Sequence, residues 1–180
     1  MDAALWDNEE IRNFYIYKGF NSSGSSLFEQ NLDFVRSNFN TLSLKGPKWL
    51  AETWFDRSEL LKIEEISCKT LDQILMQENS NDAYHFLKID AQGAEFQILK
   101  GSEQFLKNSC IGIYLELFTI PLYKGIVLLP EVEAYLKELD FILIKKMPPH
   151  GSFDSQHDCL FLKNGVDSPE SRVIRAIYKI

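Results

Sequence analysis

The spacing of apolar residues predicts strands and helices that follow one another along the chain. Short apolar runs rich in strand-forming residues predict strands over residues 11–17, 60–68, 85–89, 110–117, 141–144 and 159–162. Apolar residues at helical spacing predict helices over residues 28–39, 70–76, 93–100 and 130–139, a short one after Ser102 and a last one after Ser168. The segment 43–58 shows no period and is predicted to be irregular, and ENSNDA (78–83) is predicted to be a turn.

Several residues carry signals for the ends of helices. Thr70 and Ser168 are good N-cap residues, and Pro169 is typical of a first helical position. Gly101 is predicted to end the helix before it in a left-handed conformation, which glycine adopts without strain. The last helix is predicted to bury one apolar face, formed by Val173, Ile174, Ile177 and Tyr178.

The order of these elements predicts an α/β fold in a single domain over residues 1–180. From residue 67 onward strands alternate with helices, which is typical of a largely parallel sheet. No helix separates the last two strands, so they are predicted to form a hairpin in which the final strand runs antiparallel. The strand before it, residues 110–117, stays apolar on both faces until Glu116, as in a strand covered on both sides.

Composition limits the partners that the chain can have. With 45% hydrophobic residues, 180 residues are enough to bury one substantial core. A net charge of -7 argues against binding to nucleic-acid backbones and to anionic membrane surfaces. No apolar run is long enough to cross a bilayer, and the acidic start MDAALWDNEE has no signal-peptide pattern. The chain is therefore predicted to be cytoplasmic.

The cysteines and histidines form no disulfide or metal-binding pattern. Cys68, Cys110 and Cys159 are odd in number and far apart, which favours a reducing compartment over a disulfide framework. His150 and His157 lie near Cys159, but the zinc spacings CxxC and HExxH are absent. No metal site is predicted.

The stretch FLKIDAQGAEFQILKGS (86–102) places two carboxylates around a glycine where a predicted strand turns into a helix. In a parallel sheet, ligands bind beyond the carboxyl ends of the strands. Asp90 and Glu116 stand at or near the ends of consecutive predicted strands. If these strands are neighbours, both carboxylates face one crevice, where they can hold a cation, orient a hydroxyl or take its proton.

A structural role is the alternative for each acid. Asp90 is suited to cap the following helix, and Gly93 permits the tight turn before it. Glu95, in the first helical turn, favours the helix dipole or reaches back to the turn in the manner of a capping box. A buried unpaired carboxylate is costly, so Glu116 must meet a partner, a ligand or solvent. The spacing alone leaves both interpretations open.

Aromatic residues mark the irregular segment 43–58. Trp49, Trp54 and Phe55 follow no clear period there. Aromatic residues in such a segment either line a substrate pocket or form a hydrophobic flap over the core. Trp49 and Trp54 are candidate substrate-binding residues because their rings are suited to stack on a sugar.

Four blocks of the sequence together resemble the FkbM-type methyltransferases: TLDQIL, FLKIDAQGAEFQILKGSEQFL, IGIYLELFTIPLYKG and EVEAYLKELDFILI. Their order and spacing match the family closely over residues 70–144, and residues 3–28 match it loosely. The most specific block is K-I-D-x-x-G-A-E followed by L-K-G. Asp140 departs from the family pattern, which has glycine before the phenylalanine, but aspartate tolerates the left-handed conformation.

The resemblance implies a Rossmann-like class I methyltransferase that uses S-adenosylmethionine to methylate a hydroxyl of a sugar or secondary metabolite. Asp90 and Glu116 match acids that end the fourth and fifth strands, and are the candidate catalytic residues. Asp90, Ala91 and Gly93 are candidate cofactor-binding residues, and Glu95, at the edge of the turn, is a candidate substrate-binding residue. Because the sulfonium carries its own leaving group, the protein contributes in-line positioning and a carboxylate that accepts the hydroxyl proton.

Two features that the resemblance leads us to expect are absent from the sequence. There is no acid after a second strand, and no glycine-rich strand-turn-helix, since Gly19 and Gly24 are followed by a serine-rich loop. AALWDNEE resembles the family just after its third strand, so we expect an amino-terminally truncated domain. In the family's sheet order (three-two-one-four-five-seven-six), this leaves residues 85–89 as a bare edge, open to self-association or to a partner.

Three functions therefore remain open. The first is an S-adenosylmethionine-dependent methyltransferase acting on a small-molecule hydroxyl acceptor, which is expected to be incomplete as an isolated chain. The second is a non-catalytic remnant that acts as an interaction module through its open sheet edge. The third is a generic α/β transferase that uses the same crevice. The specific block around Asp90 favours the first.

Overall fold

A computed structural model describes residues 3–80 and 84–180, which form two mixed sheets with helices packed against them. The strands are β1 (Ala4–Leu5), β2 (Glu10–Tyr17), β3 (Leu60–Lys69), β4 (Phe86–Ile89), β5 (Gly112–Phe118), β6 (Phe141–Lys146) and β7 (Gln156–Lys163). The helices are α1 (Leu32–Leu42), α2 (Lys48–Glu52), α3 (Trp54–Arg57), α4 (Leu71–Gln77), α5 (Glu95–Lys100), α6 (Glu103–Asn108), α7 (Leu129–Glu138) and α8 (Pro169–Tyr178). The end of the predicted turn at 78–83 lies outside the described residues.

The larger sheet has the strand order β4-β5-β7-β6. β4 pairs with β5 in parallel, whereas β7 lies between β5 and β6 and is antiparallel to both. Consequently β4, β5 and β6 run in one direction and β7 runs in the other. The predicted α/β class and the antiparallel last strand are confirmed. The predicted mostly parallel sheet is confirmed only in part: three of the four strands run in one direction, but β7 lies between two of them, so two of the three strand pairs are antiparallel and the sheet is mixed.

A second, three-stranded sheet was not predicted. Its order is β1-β3-β2, with β1 parallel and β2 antiparallel to β3. Strands β2 and β3 were both predicted, but 42 residues separate them in the chain, so their pairing is non-local and leaves no signal in the spacing of apolar residues. β3 is exposed along most of its length, as expected of a strand that the core covers only at one end.

Helices cover both faces of the larger sheet. On one face the core is formed by β5 with α5, α6 and α7, and its fully buried members include Leu99, Leu106, Ile113, Leu115, Val132 and Leu136. On the other face α8 packs through Ile174, and the Tyr178 ring stacks on Tyr114 with 5.1 Å between centroids. The prediction that both faces of β5 are covered is confirmed. Such burial is the main source of the stability of a domain of this size.

A separate apolar cluster lies over the carboxyl end of β5. Val35 of α1 and Trp54 of α3 pack there against Phe118, Leu122 and Phe153. The segment 43–58 was predicted to be irregular. This prediction is wrong, because the segment contains the short helices α2 and α3. Each is too short to show a helical period, which is why the sequence pattern did not reveal them.

The predicted signals for the starts of helices are confirmed. The Thr70 hydroxyl accepts a hydrogen bond from the Gln73 backbone amide (3.1 Å), and the Gln73 side chain accepts one from the Thr70 amide (3.1 Å). Ser168 and Ser171 form the equivalent reciprocal pair at the start of α8. These bonds satisfy amides at the first turn that have no partner within the helix.

Two predictions about helix ends and faces are wrong. Gly101 has a φ of -75°, so it is not left-handed; glycine is needed because a Cβ there would lie 2.0 Å from the backbone oxygen of Trp6. In α8, Val173 and Ile177 are not buried but 58% and 67% exposed. They border a groove beside Phe86 at the free side of β4.

The edge predicted for residues 85–89 is confirmed within the described part of the chain, where β4 pairs with β5 alone. Self-association through this edge stays a prediction, which light scattering over a range of concentrations would test. Among residues 3–80 and 84–180, no helix is both long and apolar enough to cross a membrane.

Candidate active site

The turn between β4 and α5 is held in an unusual backbone conformation. Gln92 and Gly93 have positive φ values of 51° and 101°. Gly93 is required both for this φ and because a Cβ would lie 2.7 Å from the Ile126 side chain. A non-glycine residue held in the left-handed region is strained, and such residues are common at functional sites. This conformation brings the Gln92 side chain toward the end of β5.

Glu95 holds this turn in place. Its carboxylate accepts hydrogen bonds from the backbone amides of Ala91 (2.8 Å) and Gly93 (2.9 Å), and the side chain is buried. Glu95 therefore reaches back to the turn, as the structural alternative described. Asp90 does not cap α5, since the N-cap residue is Ala94, which makes no side-chain capping bond.

Gln92 joins the two predicted catalytic acids. Its side-chain nitrogen donates to Asp90 Oδ1 (3.2 Å) and to Glu116 Oε2 (2.7 Å), so the two carboxylates meet at one amide group. The Gln92 side-chain oxygen accepts from the Tyr123 hydroxyl (3.2 Å), and its backbone oxygen accepts from Ser26 (2.7 Å). The Tyr123 hydroxyl shares its proton with the Gly24 backbone oxygen (2.9 Å) and helps to orient the side-chain amide, whereas the Ser26 bond holds the backbone of the turn.

Glu116 has further polar neighbours from the loop and strand that end the larger sheet. The Gln156 side-chain nitrogen donates to Glu116 Oε2 at 2.5 Å. His150 Nε2 lies 3.8 Å from Glu116 Oε1 and 3.4 Å from Asp158 Oδ2, and this buried nitrogen has no hydrogen bond to any of the described residues. The Glu116 side chain is only 13% exposed. The acid thus lies behind the two glutamine amides rather than in open solvent.

Burial changes the proton affinity of two of these acids. Desolvation, reinforced by the negative charges of Asp90, Glu95 and Asp158, raises the pKa of Glu116 to about 8. Desolvation also raises the pKa of Glu95 to about 7, although the hydrogen bonds from the turn amides act in the opposite direction. Glu116 therefore holds its proton over much of the range near neutral pH.

Two pockets meet at Gln92. The first has a volume of about 230 Å³, and its lining includes Trp54, Arg57, Ser58, Gln92, Tyr123 and Gln156. The second, of about 250 Å³, is mostly apolar, and its lining includes Leu5, Leu27, Asp90, Ala91, Gln92 and Ile98. Because Gln92 lines both, a ligand in one pocket lies one side chain away from a ligand in the other.

The predicted site residues occupy different places around this junction. Asp90 and Ala91 line the second pocket, and buried Trp54 lines the first. Trp49 is 53% exposed and lies outside both linings, with its ring 5.9 Å from that of Phe20. Gly93 and Glu95 shape the turn and line neither pocket.

Several residues around the site were not predicted from the sequence. Gln92 lies within the most specific block, and a polar side chain between an acid and a turn glycine was a signal that could have identified it. Arg57, Tyr123, His150 and Gln156 come from distant segments, and only the fold brings them to Glu116 and the first pocket.

The second pocket has chemistry that suits part of S-adenosylmethionine. The sulfonium is a cation, and Asp90 supplies a carboxylate beside an otherwise apolar wall. A volume of about 250 Å³ is below the roughly 300–1,000 Å³ of drug-sized ligand pockets, so it accommodates only part of such a cofactor. Metal binding has no equivalent support: no group of three or more His, Cys, Asp or Glu residues in the described ranges is arranged to hold an ion.

Comparison with known proteins identifies the family. The family model of the methyltransferase FkbM domain matches residues 8–143, which is most of the chain and includes Asp90, Gln92 and Glu116. No curated protein and no solved structure matches the chain. The length of the family match shows that the protein belongs to the FkbM methyltransferase family.

Proposed function

We propose that the protein takes part in S-adenosylmethionine-dependent methylation of a hydroxyl oxygen, with the reacting groups meeting at Gln92. One observation carries the proposal: a single amide joins Asp90 and Glu116 where two pockets of different character adjoin. We assign the cofactor's sulfonium end to the apolar pocket beside Asp90. We assign the acceptor to the polar pocket lined by Trp54 and Tyr123.

The order of the larger sheet supports a Rossmann-like relationship. Its order β4-β5-β7-β6, with β7 antiparallel, corresponds to the strands four, five, seven and six that the resemblance led us to expect. Asp90 and Glu116 come at the carboxyl-end side of two neighbouring parallel strands, where ligands of open α/β sheets bind. On this proposal, the three-stranded sheet is an addition to the core fold.

In this mechanism the protein positions the cofactor and the acceptor and accepts the proton of the acceptor hydroxyl. S-adenosylmethionine, when bound, would supply a methyl group on a sulfonium whose sulfur leaves as a neutral thioether. Asp90 is exposed and is hydrogen-bonded to Gln92, the residue that lines both pockets, so we assign it to accept the proton that leaves the acceptor hydroxyl at this junction. Glu116 holds the Gln92 and Gln156 amides, both of which line the acceptor pocket. Its predicted catalytic role is thus proposed to be one of positioning.

Binding of S-adenosylhomocysteine tests this proposal. We expect weak binding because the sequence contains no glycine-rich strand-turn-helix. At a ligand concentration equal to Kd, the stabilisation is only about 0.4 kcal/mol, so a thermal shift would be small. Saturation-transfer NMR observes the ligand directly and detects such binding.

We expect saturation transfer from the wild-type protein to both S-adenosylhomocysteine and S-adenosylmethionine. Asp90→Asn is expected to weaken the signal of S-adenosylmethionine more, because only this ligand carries the sulfonium charge that Asp90 faces. Lys88→Gln is the matched control, since Lys88 is an exposed residue of the same strand that lines neither pocket. No saturation transfer from the wild-type protein to either ligand at millimolar concentration, or an unchanged S-adenosylmethionine signal in Asp90→Asn, would contradict the proposed cofactor site.

A further inference from the structure

The first pocket contains a positive charge, that of Arg57, which no carboxylate of the described residues neutralises. Arg57, the last residue of α3, is half-buried, and its Nη2 donates to the Leu50 backbone oxygen (2.8 Å) and to the Ser152 hydroxyl (2.9 Å). Its Nε donates to the Thr53 hydroxyl (3.1 Å). All three partners are neutral, and within residues 3–80 and 84–180 Arg57 forms no ion pair.

One nitrogen of this guanidinium remains available to a ligand. In the described part of the chain Nη1 makes no hydrogen bond, although Nε and Nη2 are held in place. Ser23 and Ser58 line the same pocket and add hydroxyl groups beside Arg57. Arginine pairs most strongly with ionised oxygen acceptors, so the arrangement is a prepared set of donors for an anionic group.

The charges near Arg57 support this interpretation. Its sequence neighbours Asp56 and Glu59 both pair with Lys18, at 2.6 and 3.1 Å, rather than with Arg57. No Asp or Glu belongs to the pocket lining, so among the described residues the guanidinium is its single charged group. The positive charge of this pocket is notable because the whole protein has a net charge of -7. Burial lowers the pKa of Arg57, but an arginine remains protonated at neutral pH.

A purely structural role does not account for the charge. The hydrogen bonds to Leu50, Thr53 and Ser152 tie α2, α3 and the loop before β7 together, but they need only neutral donors. The Phe20 ring lies 5.9 Å from the guanidinium carbon, near the outer limit of a cation–π contact, and is a weak partner for the charge. Partly burying a charge without an opposite charge is costly, and a bound anion would offset that cost.

We propose that the first pocket binds a carboxylate or phosphate group through Arg57, so that the methyl acceptor is a small hydroxyl compound that carries such an anion. This inference rests on the proposed function, which makes the pocket the acceptor site. Gln92 of the same pocket donates to Asp90, whose negative charge would repel an anion at that end. The charges therefore orient the ligand, with its anion at Arg57 and a neutral hydroxyl toward Gln92.

Binding of three hexose probes tests the proposal. D-glucuronate carries a carboxylate, glucose 6-phosphate carries a phosphate and glucose is neutral, while all three have hydroxyl groups. Dissociation constants are measured by NMR titration at low salt, because salt screens the attraction. We expect at least one of the two anions to bind about tenfold or more tightly than glucose.

Three variants attribute this preference to Arg57. Arg57→Gln is expected to remove the preference for the anion, and Arg57→Lys is expected to keep part of it. Arg36→Gln is the matched control, because it removes the same charge from an exposed site on the neighbouring α1. Circular dichroism spectra confirm that each variant is folded. Equal affinities for the anions and glucose, or equal losses in the Arg57→Gln and Arg36→Gln variants, would overturn the inference.

The cofactor experiment separates this inference from the proposed function. Binding of S-adenosylhomocysteine together with no anion preference would refute the anionic acceptor and leave methyl transfer supported. An anion preference that depends on Arg57, in a protein that does not bind S-adenosylhomocysteine, would refute the proposed function and leave an anion-binding pocket.

Discussion

Replacement of Glu116 by glutamine is expected to stabilise the protein above about pH 8 and to change its stability little near pH 4. Glu116 is a nearly buried acid that faces the negative charges of Asp90, Glu95 and Asp158. Glutamine has nearly the same shape, and its side-chain oxygen can accept both hydrogen bonds that Glu116 Oε2 receives from Gln92 and Gln156. The substitution therefore removes the charge and keeps the contacts.

The direction in which the free energy of unfolding changes with pH follows from the direction of the Glu116 pKa shift. The pKa of Glu116 is raised from 4.5 to about 8 in the folded protein. Below pH 4.5 both the folded and the unfolded states hold the proton. Between pH 4.5 and 8 only the folded state holds it, so the free energy of unfolding falls as pH rises, and above pH 8 the loss is complete. Glutamine does not titrate, so the variant avoids this loss.

The size of the Glu116 pKa shift sets an upper limit to the stabilisation expected for Glu116→Gln. At about 1.4 kcal/mol for each pKa unit, a rise from 4.5 to about 8 corresponds to about 5 kcal/mol. Relaxation and water entry reduce the cost of a buried charge, so we expect the variant to gain about 1.5–3 kcal/mol at pH 9. Glu95 titrates in both proteins, and the loss of its repulsion with the Glu116 charge is part of this gain.

Urea unfolding, followed by the fluorescence of the three tryptophans, measures this difference at about pH 4, 6.5 and 9. Glu103→Gln is the control, because pairing with Lys107 lowers the pKa of exposed Glu103 and its replacement gives no stabilisation at high pH. If Glu116→Gln changed the free energy of unfolding equally at all three pH values, the raised pKa would be refuted.

Two further substitutions test the geometry of the turn and of its surroundings. Gly101→Ala is expected to lower the free energy of unfolding by about 2 kcal/mol or more, because the new Cβ would lie 2.0 Å from the Trp6 backbone oxygen. Gly125→Ala is the control: a Cβ there has no atom within 4 Å, so this variant measures only the strain of a positive φ. A smaller loss for Gly101→Ala than for Gly125→Ala in urea unfolding would contradict the close approach. Gln92→Gly removes left-handed strain of about 1–2 kcal/mol together with the hydrogen bond that lowers the pKa of Glu116. The pKa of Glu116, followed by carboxyl ¹³C NMR, is expected to rise above 8 in this variant, and a decrease would show that Gln92 does not stabilise the carboxylate.

The local part of the site was accessible from the sequence. The strand, the turn glycine and the helix all lie within residues 86–102, so short-range signals describe them. The proximity of Asp90 and Glu116 also followed from the sequence, because consecutive parallel strands end at the same edge of a sheet. The position of Gln92 between an acid and a turn glycine could have marked it as a candidate, but its contacts with both acids depend on a left-handed backbone that the pattern of residues does not reveal.

The part of the fold and site that depends on contacts between distant segments could not be predicted from the sequence. Strand β7 inserts between β5 and β6 and carries Gln156 to Glu116, a pairing that spans 40 residues of chain. Gly101 shows the same limit, since a sequence does not distinguish a glycine needed for its φ from one needed for the approach of Trp6, 95 residues away. Val173 and Ile177 repeat at helical spacing, but burial depends on what lies beside the helix, and that space adjoins the free side of β4.

The most direct test of the central claim is to locate S-adenosylhomocysteine on the ¹⁵N-labelled protein. The account predicts that titration shifts the side-chain amide of Gln92 and the backbone amides of Ala91 and Gly93, while the amides of α8 stay in place. Shifts confined to α8 or to the groove beside Phe86, or no shifts at all, would contradict a methyl-transfer site at Gln92.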